Sequence, residues 1–120
     1  MEKASHSVLK IYGSSTDRLG SGLLYETVVY RAREAGISGA TVYRGVMGYG
    51  LSSHIHTSKF WELTEKLPVV VELIDTEEKI REFYAVIAPE LQTLPKGCLV
   101  TVSPVEVILH KSGAKRDKLI

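Results

Sequence analysis

Apolar residues along this chain follow two spacings, one typical of strands and one typical of helices. Four runs have the composition and alternation of strands: residues 8–12, 40–49, 69–74 and 98–109. Two stretches between them have apolar residues at helical spacing: residues 21–35 and 75–89. The order βαββαβ predicts a ferredoxin-like α+β fold, a two-layer sandwich whose four-stranded antiparallel sheet has both helices on one face.

Particular residues predict where the helices begin and end. Ser21 is a suitable N-cap for the first helix, and Gly36 is well placed as the C′ residue after it. Asp75 and Glu78 resemble a capping box at the start of the second helix. Pro89 is expected to end this helix or nearly end it.

The third and fourth strands are apolar on both of their faces. Val70 and Ile74 alternate with further apolar residues in the third strand, and Leu99 alternates with valines in the fourth. Pro104 interrupts the fourth strand, which predicts an edge position, a bulge or a bend there. Helices on one side leave the other sheet face uncovered, so we expect a closed homo-oligomer whose sheets pack on one another.

Composition and charge narrow the class of protein. The 120 residues suit one domain, with residues 1–7 and 112–120 expected to be flexible and 50–67 to form a long loop. A formal net charge of +1 argues against nucleic-acid binding. The single Cys98 fits a reducing compartment and a small buried side chain. No signal peptide or membrane-spanning run is evident, which favours a cytoplasmic protein without direct membrane insertion.

The densest cluster of glycines lies at the end of the second predicted strand. Gly45, Gly48 and Gly50 fall within six residues, next to Arg44. Glycines allow positive φ and close approach to backbone amides, and an arginine beside such amides suits an anion. The structural alternative is a β-bulge with a tight exit from the strand.

Residues 35–50, Ala-Gly-Ile-Ser-Gly-Ala-Thr-Val-Tyr-Arg-Gly-Val-Met-Gly-Tyr-Gly, carry a resemblance to a known family. Together with Leu-Tyr-Glu at 24–26 and Pro-Val-Val-Val-Glu at 68–72, they resemble the PII-like family called domain of unknown function 190. The resemblance covers residues 7–110. It implies a homotrimer that holds a ligand, in many members an adenine nucleotide, in clefts between subunits.

The resemblance also implies which residues act. The long loop at 50–67 should contact a regulated protein partner, such as a membrane transporter or channel. Its base is Arg44 with the three glycines, and a second phosphate-facing loop falls near residues 93–97, with Lys96 and Gly97. We expect amides of Gly45 and Gly48 and the Arg44 guanidinium to hold an anion, with Lys96 closing from a neighbouring subunit. The function predicted is regulatory and not enzymatic.

Other interpretations remain open for the loop itself. His54 and His56 are either exposed loop residues or ligands in a divalent-metal-binding trimer of the copper-tolerance type. Phe60 and Trp61 either anchor the loop or contact a partner. A small enzyme of the dimeric ferredoxin-like type is a third alternative, but no nucleophile–base pair or telling pair of carboxylates is evident.

Overall fold

The computed structural model describes residues 5–50, 56–57 and 66–113 of the chain. In chain order these residues form β1 (His6–Ser14), β2 (Arg18–Leu19), β3 (Gly22–Leu23), α1 (Leu24–Glu34), β4 (Gly39–Arg44), β5 (Met47–Gly48), β6 (His56–Thr57), β7 (Pro68–Thr76), α2 (Glu77–Gln92) and β8 (Leu99–Val105). Neither described helix is long and apolar enough to cross a membrane.

The main sheet confirms the predicted ferredoxin-like topology. Its strand order is β4-β7-β1-β8, and every neighbouring pair is antiparallel. Helix α1 contacts β4 and β7, and α2 contacts β7 and β1. The short strands lie outside this sheet, with β2 paired to β3 and β5 paired to β6.

The hydrophobic core lies between the two helices and one face of the sheet. Leu9 is opposite Leu73 and Ile11 is opposite Val71, and all four side chains are buried. Each buried aliphatic side chain of this size contributes about 1.5–3 kcal/mol relative to exposure. The helices supply the other half of this core: Leu24, Val28, Ala32, Ile80, Phe83, Ile87 and Leu91.

The opposite face of the sheet, here called the open face, has an apolar row that crosses all four strands. In register, the row is Tyr43, Val70, Tyr12 and Leu99. Tyr43 is 53% exposed and Leu99 is 57% exposed. A single chain therefore leaves apolar side chains of this face in contact with water, as the two-sided strand pattern predicts.

The start of α1 differs from the sequence prediction. Its N-cap is Leu23, without a side-chain hydrogen bond, and Ser21 is not the cap. Ser21 lies instead in the β2–β3 hairpin, where its carbonyl accepts from Arg18 Nη2 at 2.6 Å. The Leu24 N–H donates to the Asp17 carbonyl at 2.8 Å, which satisfies one free amide of the first turn. The C′ prediction is confirmed, because Gly36 has φ of 82°.

Helix α2 also departs from prediction at both ends. Its N-cap is Thr76, whose Oγ1 accepts from the Lys79 N–H at 3.3 Å, so the Asp75–Glu78 capping box is wrong. The helix continues through Pro89 to Gln92. Contacts beyond the proline stabilise the last turn: Leu91 is buried in the core, and Glu90 accepts from both Arg31 Nη atoms at 2.6 and 3.1 Å. This ion pair with Arg31 holds the pKa of Glu90 below its ordinary value.

Two strands end earlier than their sequences predict. The strand expected over residues 40–49 stops at Arg44, because the Gly45 N–H donates to the Pro68 carbonyl at 2.7 Å and Met47–Gly48 pairs with β6 instead. The last strand ends at Val105 and not at residue 109, since its partner β1 begins at His6, opposite Val105. Pro104 does lie on an edge strand, as predicted.

The buried carboxylate of Asp75 joins the end of β7 to its surroundings. It is 6% exposed and accepts from the Ser38 N–H at 2.8 Å and the Thr76 N–H at 2.6 Å, with Lys79 Nζ 3.6 Å away. Burial alone would raise the pKa of Asp75, but the Thr76 and Ser38 donors and the Lys79 ammonium outweigh it and lower the pKa. Asp75 therefore stabilises the fold in its charged form.

We predict that Asp75→Asn lowers the free energy of unfolding at pH 7 by about 1–3 kcal/mol, because the amide loses one acceptor and turns its NH₂ toward an N–H. The folded pKa lies below the unfolded value of about 4, so the stabilisation is present above pH 4 and is lost as pH falls through the folded pKa. Urea unfolding at pH 7 and in this acid window measures both effects. Glu78→Gln, at an exposed position, is the matched control; equal losses in the two variants would contradict the assignment.

Candidate functional site

Four segments of the chain meet at one end of the main sheet, here called the loop end. The antiparallel register places Arg44 and Gly13 on either side of Val69, and Tyr12 beside Leu99. The end of β4, the start of β7, the turn after β1 and the segment before β8 are therefore neighbours. Both chain ends of the predicted 50–67 loop emerge here.

The glycines of the loop end pack against a proline. A Cβ on Gly45 would lie 3.0 Å from Pro68 Cγ, and one on Gly48 would lie 3.5 Å from the same atom. Among the described glycines only Gly20 and Gly36 have positive φ, so the predicted positive φ does not occur at Gly45, Gly48 or Gly50. Close approach of backbone to Pro68 explains Gly45.

Arg44 is exposed at the end of β4. Among the residues that the structure describes, its guanidinium has no hydrogen-bond or ion-pair partner. An arginine that is free of carboxylates can bind a phosphate or carboxylate through two N–H donors at once. The structure thus places a free cation at the root of the loop.

Lys96 and Gly97 lie at the same end of the sheet but at its other edge. Both are exposed in the bend before β8, whereas Arg44 ends β4. The strand order separates β4 from β8 by three strand spacings, or about 14 Å. A single chain therefore does not bring Arg44 and Lys96 together.

A clamp that the sequence analysis missed fixes the returning end of the loop. The Ser15 N–H donates to the Leu67 carbonyl at 2.7 Å, and the Leu67 N–H donates to Ser15 Oγ at 3.0 Å. Asp17 holds the same turn by accepting from the Ser14 N–H and Ser14 Oγ, both at 2.9 Å. The Ser-Ser-Thr-Asp run after β1 was the available signal, since such residues form side-chain-capped turns.

Cys98 lies beside this turn and behaves as a small hydrophobic residue. It is half-buried and packs against the core. Burial and the nearby Asp17 carboxylate both raise the pKa of its thiol. The thiol is therefore protonated at neutral pH, which disfavours a nucleophilic role.

The predicted loop residues are largely outside the described part of the chain. His54, Phe60 and Trp61 all fall there. His56 belongs to β6, opposite Gly48. Among the described residues no group of three His, Cys, Asp or Glu side chains could hold a metal ion, so the metal-binding alternative gains no support from them.

Two grooves lie away from the loop end. One, of about 740 Å³, lies at the opposite end of the sheet and is lined by Ser5, His6, Pro104–Ile108 and His110. The other, of about 430 Å³, lies between the C-terminal part of α1 and the N-terminal part of α2. Neither includes Arg44 or Lys96, so these two grooves of the described chain do not enclose the predicted site residues.

Sequence comparison gives a family for the chain. The model of the DUF190 family, described as "Uncharacterized ACR", matches residues 6–107. A UPF0166 protein of Aquifex aeolicus (strain VF5) is 38% identical over 108 residues, covering 90% of this chain and 98% of the relative. A UPF0166 protein of Methanocaldococcus jannaschii is 38% identical over 73 residues, covering 61% and 67%.

Structure comparison confirms a PII-like fold. A Thermus thermophilus protein described as PII-like in signalling has a TM-score of 0.58 at 19% identity, covering 87% of this chain and 90% of that one. CPII of Thiomonas intermedia K12, solved with ADP and bicarbonate, has a TM-score of 0.55 at 15% identity, covering 84% and 88%. At these identities the likeness concerns the fold alone.

We predict that Gly45→Ala destabilises the chain by about 1 kcal/mol, because the new methyl group presses on the Pro68 ring. Gly50→Ala is the matched control, since a Cβ there meets nothing within 4 Å among the described contacts; its effect should stay within about 0.5 kcal/mol. Chemical denaturation of the three proteins compares them. Equal stability of the two variants would show that the Gly45–Pro68 contact is not close in solution.

Proposed function

The chain belongs to the DUF190 family, and on this premise we propose that it is a PII-like regulatory protein. In this proposal a homotrimer binds a small anionic ligand, such as an adenine nucleotide, in clefts between subunits. Ligand binding changes the 50–67 loop, which then contacts a regulated protein, such as a membrane transporter or channel. No chemical step on the ligand is proposed.

The observation that carries this proposal is the free guanidinium of Arg44 at the root of the loop. Arg44 adjoins Gly45, whose N–H is bonded to the Pro68 carbonyl at 2.7 Å. An anion bound by Arg44 therefore lies next to the departing strand and the returning strand of the loop. This position suits a ligand whose presence must be transmitted to the loop.

The separation of Arg44 from Lys96 supports a site between subunits. About 14 Å across the sheet is too far for both side chains to bind one small anion from the same chain edge-on. A second copy can supply the missing side chain, as the predicted closure by Lys96 requires. Exposed apolar side chains of the open face, including Tyr43 and Leu99, support association of copies.

The choice of ADP as the first ligand to test comes from the structural neighbours. CPII of Thiomonas intermedia K12 was solved with ADP and bicarbonate and also with ADP, AMP and bicarbonate. Both ADP and bicarbonate are anions, which an exposed arginine suits. Bicarbonate is therefore the second ligand to test with this chain.

We predict that Arg44→Ala weakens ADP binding by about 10- to 100-fold, the loss expected for a hydrogen bond between charged groups. Arg33→Ala, which removes an exposed arginine of α1, should leave the affinity unchanged. Isothermal titration with ADP and then with bicarbonate measures the affinities, and light scattering checks the oligomer. Unchanged affinity in an intact Arg44→Ala oligomer would refute the Arg44 site, and absence of binding to the unaltered chain would refute these two ligands.

A further inference from the structure

Both edges of the main sheet lack the usual protection against pairing with another chain. Edge strands in monomeric proteins commonly carry charged side chains, bulges or a covering segment. Here residues 39–43 of β4 and 99–103 of β8 have no charged side chain. Pro104 is at the far end of β8, opposite Ser7. Two unprotected edges in one chain favour pairing with each other across copies.

The apolar row of the open face reaches both of these edges. It ends with Tyr43 on β4 and with Leu99 on β8, and these are its two most exposed members. If β8 of one copy lies beside β4 of another at this level, Leu99 contacts Tyr43 and the row continues without interruption. The register thus indicates which residues meet.

We propose that β8 of one copy pairs edge to edge with β4 of a second copy, with Leu99 beside Tyr43. In the sheet β4 runs parallel to β1 and β8 runs antiparallel to both. A rotation about an axis parallel to the strands keeps these directions, so the pairing is antiparallel. Each copy offers one edge of each kind, and such a head-to-tail contact closes into a ring.

The chain beyond β8 gives this edge further apolar surface. Residues 105–109, Val-Glu-Val-Ile-Leu, have the composition of a strand, yet β8 ends at Val105 because β1 goes no further. The Ser5 carbonyl, just before β1, accepts from the Glu77 N–H instead. Ile108 is 91% exposed and Leu109 is also exposed. In the proposed ring this segment extends along the neighbouring copy, which can cover both side chains.

The proposed contact also completes the ligand site, and in this respect it rests on the proposed function. Lys96 precedes Leu99 by three residues, and Arg44 follows Tyr43 directly. Both lie at the loop end, so pairing Leu99 with Tyr43 brings Lys96 of one copy to Arg44 of the next. The two cations that one chain holds at opposite edges then face one anion from two sides. The Arg44 guanidinium and Lys96 ammonium together suit a ligand with at least two negative charges, such as a nucleoside diphosphate.

Disulfide cross-linking tests the edge contact. In a Cys98→Ala background, Tyr43→Cys and Leu99→Cys are combined in one chain and treated with a mild oxidant. Neighbouring antiparallel strands place paired Cα atoms about 4.5–5.5 Å apart, within the range of a disulfide, whereas about 14 Å within one chain excludes one. We expect covalent dimers and larger species on a non-reducing gel, which a reductant dissolves.

The control chain combines Tyr43→Cys with Val86→Cys, an exposed position of α2 away from both edges. It should give no cross-linked species, and both chains should keep the oligomeric state of the background protein by light scattering. A monomeric background protein would overturn the proposal. So would an oligomer in which the Tyr43–Leu99 chain cross-links no better than the control.

Mixed oligomers separate the edge contact from the proposed ligand. Arg44→Ala and Lys96→Ala chains are co-expressed, purified together and titrated with ADP. If the two side chains meet across copies, about a quarter of the sites regain both cations in random mixing, whereas a site within one chain regains none. Cross-linking without ADP binding to the unaltered chain would uphold the edge contact and refute the ADP ligand. Cross-linking with ADP binding but no recovery in the mixture would overturn the shared site.

Discussion

Antiparallel pairing of β1 with both β7 and β8 is the constraint on which the rest of the structure depends. It places two apolar strands at the centre of the sheet and leaves β4 and β8 at its edges. It also brings the ends of β1 and β4 beside the starts of β7 and β8, so one end of the sheet collects the loop, its clamp and both candidate cations. The same constraint separates Arg44 from Lys96 by the width of the sheet.

The two faces of the sheet have different consequences. The helix-covered face buries a continuous core, with Leu9, Ile11 and Leu73 fully inaccessible, and this core suffices to hold the fold of one chain. The open face keeps Tyr43 and Leu99 exposed. Burying exposed side chains of this size contributes about 1.5–3 kcal/mol each before the costs of association, so a fold that is complete in one chain still gains from a second copy.

Much of the fold could be predicted from the sequence, because hydrophobic spacing and Gly36 act locally. The errors arose where tertiary contacts outweighed local signals. Ser21 belongs to a hairpin and not to a helix cap, and the buried Asp75 binds Ser38 from another part of the chain. Residues 105–109 have a strand pattern without a strand beside them. For the site, the sequence suggested Arg44 and a polar turn after β1, but it could not reveal that Ser15 clamps Leu67, because the two residues lie 52 positions apart.

The central claim is that an anionic ligand is bound between copies of this chain, by residues from opposite edges of the sheet. A crystal structure of the full chain with ADP tests it most directly. The account predicts a closed ring with a phosphate group between Arg44 of one copy and Lys96 of the next, at the loop end. A phosphate bound within one chain, or bound at either groove away from the loop end, would contradict it.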